Sequence, residues 1–179
     1  VRRFLARIIY KYLDQEKMKA LYNKAMHYYE DKRNYFAALK FADLLKNREQ
    51  IALQIDRLLS QKLGYDVFLS LEEYCLHLSD VYLEEYPRLV MAKAMLQAME
   101  GDLPAFRKCE QFLNRMLENC LPEKGRQIRK CQLFLKLIGP GGMTPELLEE
   151  AQELADQVLG GENMDNPTFS REELLELLG

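Results

Sequence analysis

The stretch from Tyr86 to Leu117 constrains the fold more than any other, because it prescribes two helices folded back on each other. Pro87 stands where a first helical turn tolerates proline, since the missing N–H would be unpaired there anyway. Leu89, Ala92, Leu96 and Met99 recur at helical spacing. Gly101 can take the left-handed conformation that closes a helix. Asp102 can then cap the next one, with Pro104 in its first turn. The rest of the chain reads as looser versions of this hairpin.

In chain order, residues 1–13 carry an apolar face of Leu5, Ile8, Ile9 and Tyr12, with Arg3, Arg7 and Lys11 stepping by four along another. A helix is expected over 16–31, a polar break at Asp31–Asn34, and a partner helix from Tyr35 to about Lys46. Ala38 and Ala42 at the seam would let the two approach closely. Further helices are expected over about 49–62, closed by Gly64, and over 66–77. Ser79 or Asp80 would cap a short turn before Tyr86. Pro122 breaks the chain, and a helix over 124–138 follows. Gly139-Pro-Gly-Gly142 is a connector. Thr144-Pro145 restarts a helix through Leu147, Leu148, Ala151, Leu154, Ala155 and Val158. After a polar linker from Gly160 to Pro167, Ser170 and Glu173 form a capping box for a last helix. The reading is a helical-repeat domain over 1–138 and an acidic helical extension over 139–179.

Composition agrees. Hydrophobic residues make up 48% and charged residues 30% of the sequence, ordinary for a globular chain with a core. Leu, Ala, Met, Tyr and Phe dominate the apolar set, which disfavours a sheet. A formal charge of -3 gives no global basic field for nucleic acid. The charge is uneven: the first third is rich in Lys and Arg, whereas Arg171 is the only basic residue from Glu146 onward. These are solvated faces or patches that meet each other or a partner. No apolar run is long enough to span a membrane. Cys75, Cys109, Cys120 and Cys131 fall in apolar helical patterns without a CxxC pair. Buried reduced thiols and a cytoplasmic setting are expected. The lack of an initiator Met leads to the expectation that the sequence is a piece of something longer.

Asn34-Tyr35 with Ala38-Leu39 recurs as Asp102-Leu103 with Phe106-Arg107. Their offset is twice the roughly 34-residue period of tetratricopeptide repeats. The intermediate unit near 68–72 is degenerate, with Glu72 where Ala is wanted. Each hairpin of such an array leaves an apolar face that a neighbour must cover. The expected fold is therefore all-α, a tetratricopeptide-like solenoid of stacked hairpins.

Leu21-Tyr-Asn-Lys-Ala25 through His27-Tyr-Tyr-Glu30, then Asn34-Tyr-Phe-Ala-Ala-Leu39, resembles the hairpin that opens a MalT-like solenoid. Glu85-Tyr-Pro-Arg-Leu89, with Ala92, Ala94, Gly101 and Asp102, resembles a second segment of those solenoids. They belong to bacterial signal-transduction ATPases with LuxR-type DNA-binding tails. Phe4-Leu5 to Tyr12-Leu13 resembles the end of the preceding winged-helix module. The resemblance covers roughly residues 1–120. Phe106 and Met26 depart from it by standing where small residues are usual. Phe169-Ser-Arg-Glu-Glu-Leu-Leu is similar to the opening of a LuxR-type helix-turn-helix, yet reads as a capped helix. The resemblance implies a non-catalytic sensor that binds an effector small molecule or a regulatory protein, with self-association possible. ATP would bind only an upstream domain outside this piece, and DNA only a tail. The competing function is a constitutive tetratricopeptide-like scaffold that joins proteins without an effector.

No catalytic constellation is legible. There is no GxxxxGK[ST] stretch to cradle phosphates. His27 and His77 each lack a second His at ligand spacing, so no cofactor or metal is expected. Met91, Met95 and Met99 step by four along the helix expected to line the concave side, where methionine adapts to varied apolar partners. Asn23 and His27 step by four on the equivalent helix of the first hairpin. A binding wall is expected near Asn23, His27, Arg88, Met91 and Met95, suited to a peptide, a sugar or a small polar effector. Plain core packing is the competing reading for the methionines, and hairpin packing for Asn23 and His27.

Overall fold

A computed structural model describes residues 14–61, 65–118, 120–140, 144–146 and 149–153. The elements are α1 (Gln15–Asp31), α2 (Tyr35–Leu44), α3 (Arg48–Gln61), α4 (Tyr65–Cys75), α5 (Asp80–Glu85), α6 (Pro87–Met99), α7 (Leu103–Glu118) and α8 (Pro122–Ile138). Residues 145–146 and 149–153 are helical too, and no strand occurs among the described residues. The fold is all-α, as the periodicity predicts. Several expectations lie outside the described residues. They are the helix at 1–13, the stop at Gly64, the helix beyond Glu153, the linker at 160–167 and the Ser170–Glu173 cap.

Two details differ from the sequence reading. The turn expected before Tyr86 is a six-residue helix, α5, whose N-cap residue Ser79 makes no side-chain cap bond. Pro122 starts α8 rather than interrupting the chain ahead of it, because a first-turn residue needs no N–H donor. The chain divides into two compact units, Val1–Leu58 and Leu59–Gly179. That division falls within α3, and the segments 1–138 and 139–179 do not mark it.

One turn is used three times. After α1, Arg33 donates to the Glu30 carbonyl at 2.8 Å and Asn34 N–H to the Tyr29 carbonyl at 2.9 Å. After α2, Lys46 and Asn47 repeat the pair on Asp43 and Ala42, at 2.8 and 3.1 Å. After α6, Gly101 and Asp102 do so on Ala98 and Gln97, at 3.1 and 2.9 Å. These are Schellman closures, each with its left-handed residue at positive φ: 53° at Arg33, 53° at Lys46 and 81° at Gly101. The following residue then caps the next helix. Asn34, Asn47 and Asp102 accept through Oδ1 from Ala37, Gln50 and Ala105 N–H at 3.1, 3.2 and 3.0 Å. Two residues thus close one helix and open the next.

In the first unit, α1 and α2 pack as an antiparallel pair. Met18, Met26, Ala38, Leu39 and Ala42 are buried, so the alanine seam expected from the sequence is present. Tyr29 stacks on Phe41 with ring centroids 5.7 Å apart, and Tyr22 lies 6.1 Å from Phe41.

In the second unit, α6 packs against α4, α5, α7 and α8. Pro87, Leu89, Val90, Met91, Ala92, Ala94, Met95 and Leu96 are all buried. Its apolar residues go round the helix rather than along one stripe, which is the pattern of a central helix. By contrast α7 is amphipathic and buries Phe106, Cys109 and Leu113. From α8, Phe134 reaches Phe68 of α4 at 5.8 Å between centroids.

The shared turns set a stability ranking. Gly101→Ala should cost about 1 kcal/mol although a Cβ there meets open space, because the cost is the left-handed backbone itself. Arg33→Gly and Lys46→Gly should each gain about 0.5–1 kcal/mol, the strain relieved less the extra chain entropy of glycine. Urea unfolding of the three variants checks both signs.

Candidate functional site

The five residues expected to form a binding wall fall in different units and environments. Asn23 and His27 are exposed on α1, in the first unit. Arg88, Met91 and Met95 belong to α6, in the second. Arg88 is half-buried. Met91 and Met95 are each 2% exposed. Their spacing reflects core packing within the second unit, because α6 has neighbours on several sides and no outward face there. His27 faces solvent rather than the inside of its hairpin. Met95→Ala should therefore cost about 2–5 kcal/mol, as large-to-small core changes do, readable in the thermal midpoint.

His27 is one edge of a polar cluster that the sequence does not announce. Its Nδ1 lies 2.6 Å from Glu30 Oε2. Glu30 Oε1 accepts from Gln54 Nε2 at 2.5 Å and from Arg57 Nη1 at 2.6 Å. The Glu30 side chain is 14% exposed, and Gln54 is fully buried. Arg57 also lies 5.9 Å from the Tyr35 ring centroid. The cluster joins α1 and α3, with α2 reached through Tyr35. His27 and Glu30 share a helix at i,i+3, a spacing readable in the sequence. Gln54 and Arg57 come from 24 and 27 residues away, and no local pattern marks them.

Burial alone would raise the Glu30 pKa. The hydrogen bonds from Gln54 and His27 and the charge of Arg57 outweigh it, so the carboxyl titrates below its ordinary 4.5. A depressed carboxylate contributes stability that is present above the unfolded value and lost as pH falls through the folded one. Glu30→Gln should destabilise the protein by about 1–3 kcal/mol at pH 7, through the weakened partner of Arg57. It should also flatten the loss of stability below pH 4.5. Denaturant midpoints of both proteins between pH 7 and pH 3 test this.

The second unit carries a groove of about 650 Å³ between α7, α8 and residues 150–153. Leu113, Leu117 and Leu135 give it apolar surface, and Arg107, Glu110, Lys136, Glu150 and Glu153 give it charges of both signs. Gln132 Nε2 donates to Asn114 Oδ1 at 2.6 Å across it. Lys136 pairs with Glu150, and Ala151 is fully buried. The start of the acidic extension is thus seated on the second unit. Burial raises the Glu110 pKa, against Lys136 and Arg107, which lower it, with Glu150 adding to the rise. Such a lining can hold a small polar or zwitterionic molecule, or a peptide backbone with one apolar side chain.

The thiols divide in a way the sequence does not show. Cys75, Cys109 and Cys131 are buried, as expected, but Cys120 is partly exposed, because it sits past the end of α7 and before α8. Burial pushes the Cys75 thiol up to about 12 despite the nearby Lys93. It raises Cys109 as well, so both stay protonated and unreactive. Among the described residues, no group of three or more His, Cys, Asp or Glu could hold a metal ion. No helix among them is long and apolar enough to cross a membrane. Comparison with protein-family models, curated proteins and solved structures finds no match to this chain.

Proposed function

We propose that this chain is a helical-hairpin interaction module that recognises an effector or a regulatory protein and carries no chemistry of its own. The single observation that supports it most is the open groove of about 650 Å³ beside α7 and α8, lined by charges of both signs over leucines. Its walls are tied together by the Gln132–Asn114 hydrogen bond and the Lys136–Glu150 pair, and a surface formed in advance lowers the ordering cost of binding. The resemblance of 21–39 and 85–102 to MalT-like solenoids gives this reading its specific form. In that form the module is the sensor of a cytoplasmic transcriptional regulator, whose ATPase and DNA-binding parts lie elsewhere.

A thermal-shift screen of metabolites and short peptides tests the reading. A ligand of the groove should raise the midpoint progressively with its concentration, the stabilisation reaching about 2.7 kcal/mol at a hundredfold excess over its Kd. Gln111→Ala with Arg107→Glu should abolish that rise while leaving the unliganded midpoint nearly unchanged, since both positions are exposed. A protein partner bound with equal affinity whatever small molecules are present would move the assignment to the constitutive scaffold.

A further inference from the structure

The corner where α7 meets α8 borders the groove just described, sharing Leu117 with it, and has a different chemistry. It holds two hollows, of about 580 and 360 Å³, that share Cys120. The first takes apolar surface from Phe112, Met116 and Leu121. Leu121 is 78% exposed, the highest value among the exposed large hydrophobic residues. With the half-buried Phe112 and Met116 it forms one apolar face of the first hollow, and contiguous exposed apolar surface marks interaction sites. Arg115 is poised over the Phe112 ring at 5.3 Å. Lys124 Nζ donates to the Glu84 carbonyl at 2.7 Å. Both cations are therefore held in place before anything binds.

Charge decides what kind of partner fits. Glu84, Arg115, Lys124, Arg126 and Arg129 are the charged residues lining the two hollows, and four of these five are cations. Glu118 and Glu123 flank them on the exposed ends of α7 and α8. Arg129 has a buried Nε with no acceptor among the described residues. This local balance is opposite in sign to the chain as a whole, whose formal charge is -3. Gly125 keeps the corner tight: a Cβ there would stand 3.3 Å from Cys120 Sγ.

We propose that this corner docks an acidic peptide segment of a partner protein, which places an apolar side chain against Phe112, Met116 and Leu121 and carboxylates on Arg115, Lys124, Arg126 and Arg129. Methionine and leucine adapt to the apolar anchor, and arginine supplies forked donors to carboxylates. The assignment rests on the interaction-module reading and names one partner class for it.

Cys120 makes the site directly readable, because the other three thiols are buried. Two display libraries of fifteen-residue peptides, one biased toward Glu, Asp, Leu and Phe and one toward Lys, Arg, Leu and Phe, would be selected on the protein. The acidic library should enrich, and its binders should slow alkylation of Cys120 at least fivefold. Arg115→Glu with Lys124→Glu should weaken those binders at least tenfold. Leu121→Asp should do the same; its exposed side chain leaves the fold intact, which keeps the test valid should the double variant misfold.

Enrichment of the basic library alone, acidic binders that leave Cys120 alkylation unchanged, or the absence of any acidic binder would each overturn the proposal. So would Cys120 protection by phosphatidylserine vesicles, or by raised protein concentration alone, in place of peptide. Peptides bound away from Cys120 would remove this site and leave the interaction module standing. Failure of the interaction module would instead appear as loss of all ligand-dependent stabilisation in the thermal-shift screen.

Discussion

Every helix ends with backbone groups that its own ladder cannot pair, and a chain made of helices must settle that account at each end. Here the settlement is unusually short. A left-handed residue and a capping residue close one helix and begin the next at Arg33-Asn34, Lys46-Asn47 and Gly101-Asp102. At the first and third of these turns the direction of the chain reverses with almost no loop, and the helices on either side pack on each other. The antiparallel pairs α1–α2 and α6–α7 follow from that constraint. So does the position of Glu30, one turn before a closure, from which it reaches Gln54 and Arg57 on α3.

The two units solve burial differently. The first relies on alanines and aromatic rings at the α1–α2 seam, with a charged cluster at its edge. Such a cluster constrains geometry more than it adds stability, because bringing Glu30 and Arg57 out of water offsets much of their attraction. The second is built round α6, whose buried residues need cover from α4, α5, α7 and α8. The outer helices of this unit keep polar faces free, and both surfaces assigned to binding lie on α7 and α8. A rigid centre with recognition on its outer layer is the division of labour expected of a binding module.

Much of the all-α fold was legible because local signals decide it. Pro87, Gly101, Asp102 and the apolar spacing between them mark a hairpin that the structure reproduces nearly to the residue. The Lys46-Asn47 turn escaped because lysine rarely adopts positive φ and carries no signal for it. The helix α5 escaped because six residues hold too little periodicity to separate from a turn. The surfaces proposed for binding were less legible still. Methionines at Met91 and Met95 have the same spacing whether they face a groove or a core, and only the helices packed around α6 distinguish the two. Arg107, Lys136 and Glu150 are ordinary surface residues in the sequence, and they become a lining only when α7, α8 and the following segment come together. The family resemblance rests on short motifs that any tight helical hairpin tends to share, so it says more about turns than about partners.

The burial of α6 on nearly all sides also bears on how the protein is made. Helices with a polar face can leave the ribosome half-solvated, but α6 offers water little besides Arg88, Lys93, Gln97 and its last two residues. Its covers α4 and α5 precede it in synthesis, whereas α7 and α8 follow. For the time it takes to add the residues up to Ile138, the most apolar helix of the unit is only partly clothed. Nascent-chain aggregation and chaperone engagement should concentrate in that interval. Slow translation once α8 has left the ribosomal exit tunnel would shelter the unit, and a pause with α6 emerged but α7 and α8 still inside would expose it.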